Sequence, residues 1–230
     1  MMDKLNLGNS LFPGFNDQNG LMICGYEWGW SKADEAAYEK GECTLPEEEI
    51  LHTFSNKALY YGEQANTWRY DNAIKAWFEL WGHPLDSNGL GGAFERSVVQ
   101  TNWANSQDNS ISDYDKFLSD SQVDNFLFHL KSLRPKVSLF MGSRLLDYLN
   151  NPKVLVKFKE LMGEEVERAR FEQKPFAGTR FKVGFQRFEH CQIVCLPHPS
   201  ASRGLSHAYI EMFRPEMDKI LTDYKKARGF

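Results

Sequence analysis

Four short apolar runs, each closed by a turn signal, constrain this chain more than any other feature. They are GLMICG at 20–25, RSVVQTN at 96–102, KVSLFMG at 136–142 and CQIVCLPHP at 191–199. A strand with one wet face alternates polar and apolar residues with period two. Near-continuous apolar runs of this length instead fit strands covered on both faces, as in a parallel sheet. Helical patterns lie between them. Thr44, Pro46 and Glu47 form a capping-box arrangement that predicts a helix running toward Phe54. Ile74, Trp77, Phe78 and Trp81 recur at i, i+3, i+4 and i+7, with Gly82 and Pro84 as the stop. Val123, Phe126, Leu127, Leu130 and Leu133 repeat that spacing after Ser121 and end at Pro135. Ser143–Leu149 and Pro152–Met162 predict two further helices. Leu205–Phe213 and Pro215–Tyr224 predict a last helix, kinked or restarted at the proline.

Strands alternating with helical excursions define an α/β chain with right-handed crossovers. The expected architecture is a three-layer α/β/α sandwich around a central four-stranded parallel sheet, in spatial order 2-1-3-4. RFKVGFQRFEH at 180–190 can add a hairpin strand before the last run. With 230 residues, 42% hydrophobic and 25% charged, residues 1–230 are expected to form a single globular domain with a long excursion at 31–66. The apolar cores at Leu21–Cys24 and Ile193–Leu196 fall far short of the ~20 residues of a membrane span. The opening residues lack the apolar segment of a secretion signal, so a cytoplasmic protein is expected. Cys24, Cys43, Cys191 and Cys195 have neither disulfide-framework nor metal-site spacing and read as buried thiols.

The net charge of −4 conceals a division. Residues 1–115 hold 7 Lys and Arg against 18 Asp and Glu, whereas residues 116–230 hold 20 against 13. A basic half can attract a polyanion even when the sum is acidic, and it can equally be a set of solvated helix faces.

In open parallel sheets ligands bind at the carboxyl ends of the strands. The first run ends in Gly25-Tyr26-Glu27-Trp28-Gly29-Trp30 and the second in Thr101-Asn102-Trp103. The third ends in Gly142-Ser143 and the fourth in His198-Pro199-Ser200-Ala201-Ser202-Arg203-Gly204. A carboxylate, an amide and an imidazole therefore converge on one edge. The phosphate loop, the dinucleotide fingerprint, the nucleophile elbow and the H-E-x-x-H metal helix are all absent from the sequence.

GYEWG at 25–29, QTNWANS at 100–106, RPKVSLFMGS at 134–143 and LPHPSASRG at 196–204 resemble, in order and approximate spacing, the motifs of the uracil-DNA glycosylase superfamily. The resemblance spans residues 20–210, and the last motif is its most specific part. Trp28 stands where the familiar families have proline, Glu27 holds the usual Asp, Asn or Ala position, and the cysteine ligands of the iron-sulfur branches have no counterpart.

The resemblance implies hydrolysis of the N-glycosidic bond of uracil or a related damaged base in DNA. Glu27 and His198 are then the catalytic candidates. The carboxylate orients water beside the sugar, and the imidazole donates to the base oxygen that gains charge. Gly25, Tyr26, Phe54, Asn102 and Ser200 are the candidate substrate-binding residues. Asn102 pairs with the imide edge, and Phe54 is the favoured stacking face among Phe54, Tyr60, Tyr61, Trp28 and Trp30. Ser202 and Arg203 would hold flanking phosphates and Leu205 would enter the vacated stack. The expected partner is DNA, single- or double-stranded, met by a monomer with no cofactor, no metal cluster and no membrane. A degenerate module that binds nucleic acid or a partner protein without chemistry is the alternative.

Overall fold

The computed structural model describes residues 5–29, 36, 40–41, 48–108, 111 and 113–230. All four apolar runs are strands: β1 is Leu21–Gly25, and after the two-residue β2 (Trp28–Gly29) comes β3, Val98–Asn102. After the two-residue β4 (Gln107–Asp108) comes β5, Val137–Met141. The chain then makes β6 (Glu165–Glu172), β7 (Val183–Phe188) and β8 (Gln192–Leu196). β1 pairs in parallel with both β3 and β5, and β5 in parallel with β8. β2 and β4 form a separate two-stranded ladder.

The expectation of four strands in order 2-1-3-4 requires correction. The main sheet has six strands in order β3-β1-β5-β8-β7-β6. The four apolar runs occupy its parallel part, and β7 and β6 extend it antiparallel beyond β8. β6 escapes an apolar-pattern reading because EVERARFE is exposed at its six interior positions. With no face to bury, it carries no hydrophobic period.

Every residue of β1, β3 and β5 is buried, and alternate side chains enter two separate cores. Leu21, Ile23, Leu139 and Val194 face one core with Ile74, Trp77, Phe213 and Leu221. Met22, Cys24, Phe140 and Ile193 face the other with Val123, Phe126, Leu149 and Phe158. The helices Arg69–Leu80 and Arg214–Arg228 therefore cover one face of the sheet, and Asp120–Leu133 and Pro152–Met162 the other. The Asp120–Leu133 helix starts after Ser119 rather than Ser121. The last helical stretch is a restart, His207–Glu211 followed by Arg214–Arg228 with Pro215 in the first turn. There the missing amide of proline costs no hydrogen bond.

Thr44, Pro46 and Glu47, the predicted start of a helix, lie outside the described residues, as do Cys43 and Trp30. From Ile50 to Phe54 the chain is not helical. His52 is instead tied to Ser10, its carbonyl accepting from the Ser10 amide at 3.1 Å and its amide donating to Ser10 Oγ at 3.0 Å. Nearby, Gly8 N donates to Gln100 O at 2.8 Å, so the N-terminal segment lies along the outer edge of β3. Cys24, Cys191 and Cys195 are free, buried thiols, and burial pushes the pKa of each up, keeping it protonated. No described helix is long and apolar enough to cross a membrane.

Candidate functional site at the strand ends

Parallel pairing places the carboxyl ends of β1, β3, β5 and β8 on one edge of the sheet. The ladder continues past β1: Trp103 N donates to Gly25 O and Ala104 N to Tyr26 O, each at 2.9 Å. These bonds fix the direction in which Tyr26 and Glu27 leave the sheet.

Tyr26 crosses to the end of β5. Its hydroxyl accepts from the Arg144 amide at 3.0 Å, and its ring covers Gly142 so closely that a Cβ there would lie 2.1 Å from a ring carbon. Only glycine leaves room for that ring. On its way the ring stacks on His198, with centroids 6.3 Å apart and planes 8° apart. Tyr70, in the first turn of the Arg69–Leu80 helix, approaches His198 too, at 5.4 Å between centroids. His198 is thus held between two tyrosines, one from the β1 turn and one from a helix.

The imidazole is fixed in a single protonation pattern. Nδ1 accepts from the Ala201 amide at 3.1 Å and the Ser200 amide at 3.3 Å, with Ser200 Oγ at 3.5 Å. A nitrogen that accepts backbone N–H bonds carries no proton, so in the neutral ring the proton resides on Nε2. Burial lowers the His198 pKa from 6.5 to about 4. At neutral pH the side chain is therefore an uncharged Nε2–H donor, and no described residue accepts from it.

Glu27 has the opposite character. Its side chain is 4% exposed, and Oε2 accepts from Lys116 Nζ at 2.7 Å and from Ser106 Oγ at 2.6 Å. Its other oxygen, Oε1, is buried with no hydrogen-bond partner. Asn102, at the end of β3, likewise has a buried Nδ2 without a partner. Its Oδ1 would stand 2.3 Å from a Cβ on Gly25, so the glycine lets the amide approach β1. The Tyr70 hydroxyl would be 3.3 Å from that same Cβ, and it too is buried and unpartnered. Four of the seven such atoms among the described residues belong to Glu27, Trp28, Tyr70 and Asn102. Buried polar groups are otherwise almost always paired, and these four stand out: Glu27 and Trp28 follow β1, Asn102 ends β3, and the Tyr70 hydroxyl lies near Gly25.

A buried ion pair supports this edge. Lys57 Nζ reaches both oxygens of Asp71 at 3.0 Å and donates to Gln100 Oε1. Gln100 shares a face of β3 with Asn102, and Asp71 follows Tyr70, so the pair fastens the start of the Arg69–Leu80 helix beside the strand end.

Other sequence-derived candidates take different places. Phe54 is 1% exposed in the core beside Ile23 and Ile74, with Lys57 Nζ 5.0 Å from its ring centroid. The rings that reach His198 are those of Tyr26 and Tyr70, not Phe54. Tyr60 and Tyr61 cluster with His52 and Trp68. Ser200 holds the imidazole, Ser202 donates its amide to His198 O at 3.3 Å, and Arg203 is exposed. Leu205 is half-buried against the core.

Sequence reasoning missed Tyr70 and Lys116. Tyr70 could have been found, because Ala73, Ile74, Trp77 and Phe78 follow it at i+3, i+4, i+7 and i+8 and make it the first member of their stripe. Lys116 sits in DKFL, where nothing in the sequence points to Glu27. Among the described residues no group of three or more His, Cys, Asp or Glu side chains is placed to hold a metal ion. No protein-family model matches the chain, and no curated protein matches its sequence.

Proposed function

We propose that this chain is an outlying member of the uracil-DNA glycosylase superfamily that hydrolyses the N-glycosidic bond of uracil or a related base in DNA, working as a cytoplasmic monomer. The observation that carries the reading is the pairing, at one strand edge, of a neutral imidazole whose Nε2–H is unengaged with a carboxylate whose Oε1 is unengaged.

Breaking a glycosidic bond builds positive charge on the sugar and negative charge on the departing base. Glu27 Oε1 offers an acceptor that orients water and offsets the sugar's charge, while Lys116 and Ser106 hold the other oxygen still. His198 Nε2–H offers a donor toward the base oxygen. A neutral donor binds the ground state weakly and strengthens its bond as charge develops, which is what lowers a barrier. Asn102 supplies an amide of the kind that pairs with an imide edge, and the Tyr26 and Tyr70 rings beside His198 offer faces for a base turned out of its stack.

The test is a set of labelled oligonucleotides carrying uracil, hypoxanthine, xanthine or mismatched thymine, scored for abasic sites after incubation with the wild-type protein. Base release from at least one substrate supports the reading. Release from none on single strands or duplexes overturns it and leaves the binding-module alternative.

A further inference from the structure

Beside His198 lies a groove of about 450 Å³, lined by Arg144, Asp147, Phe171, Arg180, Lys182 and Ser202 among others. Three features give it a chemistry. Its lining holds three cations against one carboxylate, Asp147. Arg180 and Lys182, like Arg168 of β6, have no carboxylate within ion-pair reach among the described residues, whereas other cations of the same β6–β7 segment are engaged. There Arg170 and Lys174 both pair with Glu172, and Lys174 also reaches Glu216. Phe171 is 45% exposed at the end of β6, its ring edge resting over Gly184 of β7, where a Cβ would lie 3.0 Å from Cε1, and the rest of the ring lining the groove.

We infer that this groove takes a single strand of nucleic acid, with phosphates on Arg180 and Lys182 and an unstacked base on Phe171. Arg144 already lies over the Tyr114 ring, its guanidinium carbon 4.2 Å from the centroid, so of the three lining cations Arg180 and Lys182 are the phosphate ligands. Unpaired cations next to an exposed aromatic ring are the combination that holds unpaired nucleotides. In a duplex each base face is covered by its neighbours, and Phe171 would have nothing to stack on. Ser202 joins the groove to the loop that fixes His198, so a strand in the groove leads to the imidazole. That direction alone rests on the glycosidase reading, and it deepens that reading by naming the substrate as single-stranded.

Fluorescence anisotropy with a labelled 12-nucleotide single strand and its duplex tests the inference, over a salt series, on the full chain. Wild type should bind the single strand at least tenfold more tightly. Arg180→Ala with Lys182→Ala should lower the slope of log affinity on log salt by about 1.4, at ~0.7 per phosphate contact. Phe171→Ala should weaken binding about 5- to 160-fold, the range for losing one aromatic base stack. Phe171→Leu should weaken it too, since it keeps an apolar side chain but has no ring face. All these positions are exposed, and circular dichroism confirms that each variant folds. Equal affinity for duplex and single strand, no binding of either, or unchanged affinity in the variants overturns the inference. Base release by the same proteins is read separately. Release by wild type with binding unaltered in the groove variants sinks the groove and keeps the glycosidase, whereas binding through the groove with no release does the reverse.

Discussion

Two lysine–carboxylate pairs among the described residues, each with a buried carboxylate, differ in one atom's fate. Lys57 and Asp71 are 7% and 5% exposed, both carboxylate oxygens meet the ammonium at 3.0 Å, and Gln100 takes a further bond. Burial lowers the Lys57 pKa while Asp71 pulls it back up. Such an arrangement balances its own charge and has nothing left to offer. Lys116 and Glu27 use one oxygen only, and Oε1 stays buried and unpartnered at the strand edge. The first pair fastens a helix to a strand; the second leaves an acceptor oxygen that the proposed reaction would use. The two pairs thus differ in one unengaged oxygen rather than in the charges they bring together.

Substitutions should separate the two pairs. Lys57→Met leaves Asp71 charged and buried without its cation, a change that typically costs ~3–5 kcal/mol, read as a lower denaturant midpoint. Glu27→Gln keeps an acceptor oxygen for Lys116 and Ser106 and should shift the same midpoint by less than ~1.5 kcal/mol. Equal destabilisation by both would erase the distinction. At Asn102 the readout is base preference rather than stability. Asn102→Asp removes the Nδ2 donor and should change the preference between uracil-like and cytosine-like bases by ~1–3 kcal/mol, the range for a bidentate base contact. An unchanged base profile would remove Asn102 from the pocket.

His198 makes a prediction about pH. Its pKa is about 4 in the folded chain and 6.5 as an ordinary value. Between those values the unfolded chain takes up a proton that the folded one refuses. The stability tied to this residue is therefore fully present above pH 6.5, declines as pH falls toward 4, and declines no further below it. An NMR titration of the His198 ring should show a midpoint near 4, with the proton on Nε2 above it. A midpoint near 6.5 would remove the neutral donor.

The parallel part of the fold was legible because buried strands carry their signal in composition: Leu21–Gly25 and Val137–Met141 are short, near-continuous apolar runs closed by turn signals. β6 was not, since a strand that buries nothing has no pattern to read. The site divides in the same way. Glu27, Asn102 and His198 were visible because strand ends are predictable places and their residue types are chemically distinctive. Lys116 was not, because its contact with Glu27 spans 89 residues of sequence. The sequence offered Phe54 rather than Tyr26 or Tyr70 as the ring beside His198, and spacing could not correct that, since large aromatic residues most often fill cores, as Phe54 does.

Single-turnover release of the base from an oligonucleotide carrying the substrate found in the base panel, measured for wild type, Glu27→Gln, His198→Ala and the double variant, decides whether Glu27 and His198 act on one bond. If the carboxylate and the imidazole act on the same bond, each single variant should cleave ~10²- to 10³-fold more slowly, the usual loss for one preorganised group. Substrate affinity should stay nearly constant, because both interactions strengthen only as charge develops. A wild type that releases its base while either single variant releases it equally fast would contradict the account.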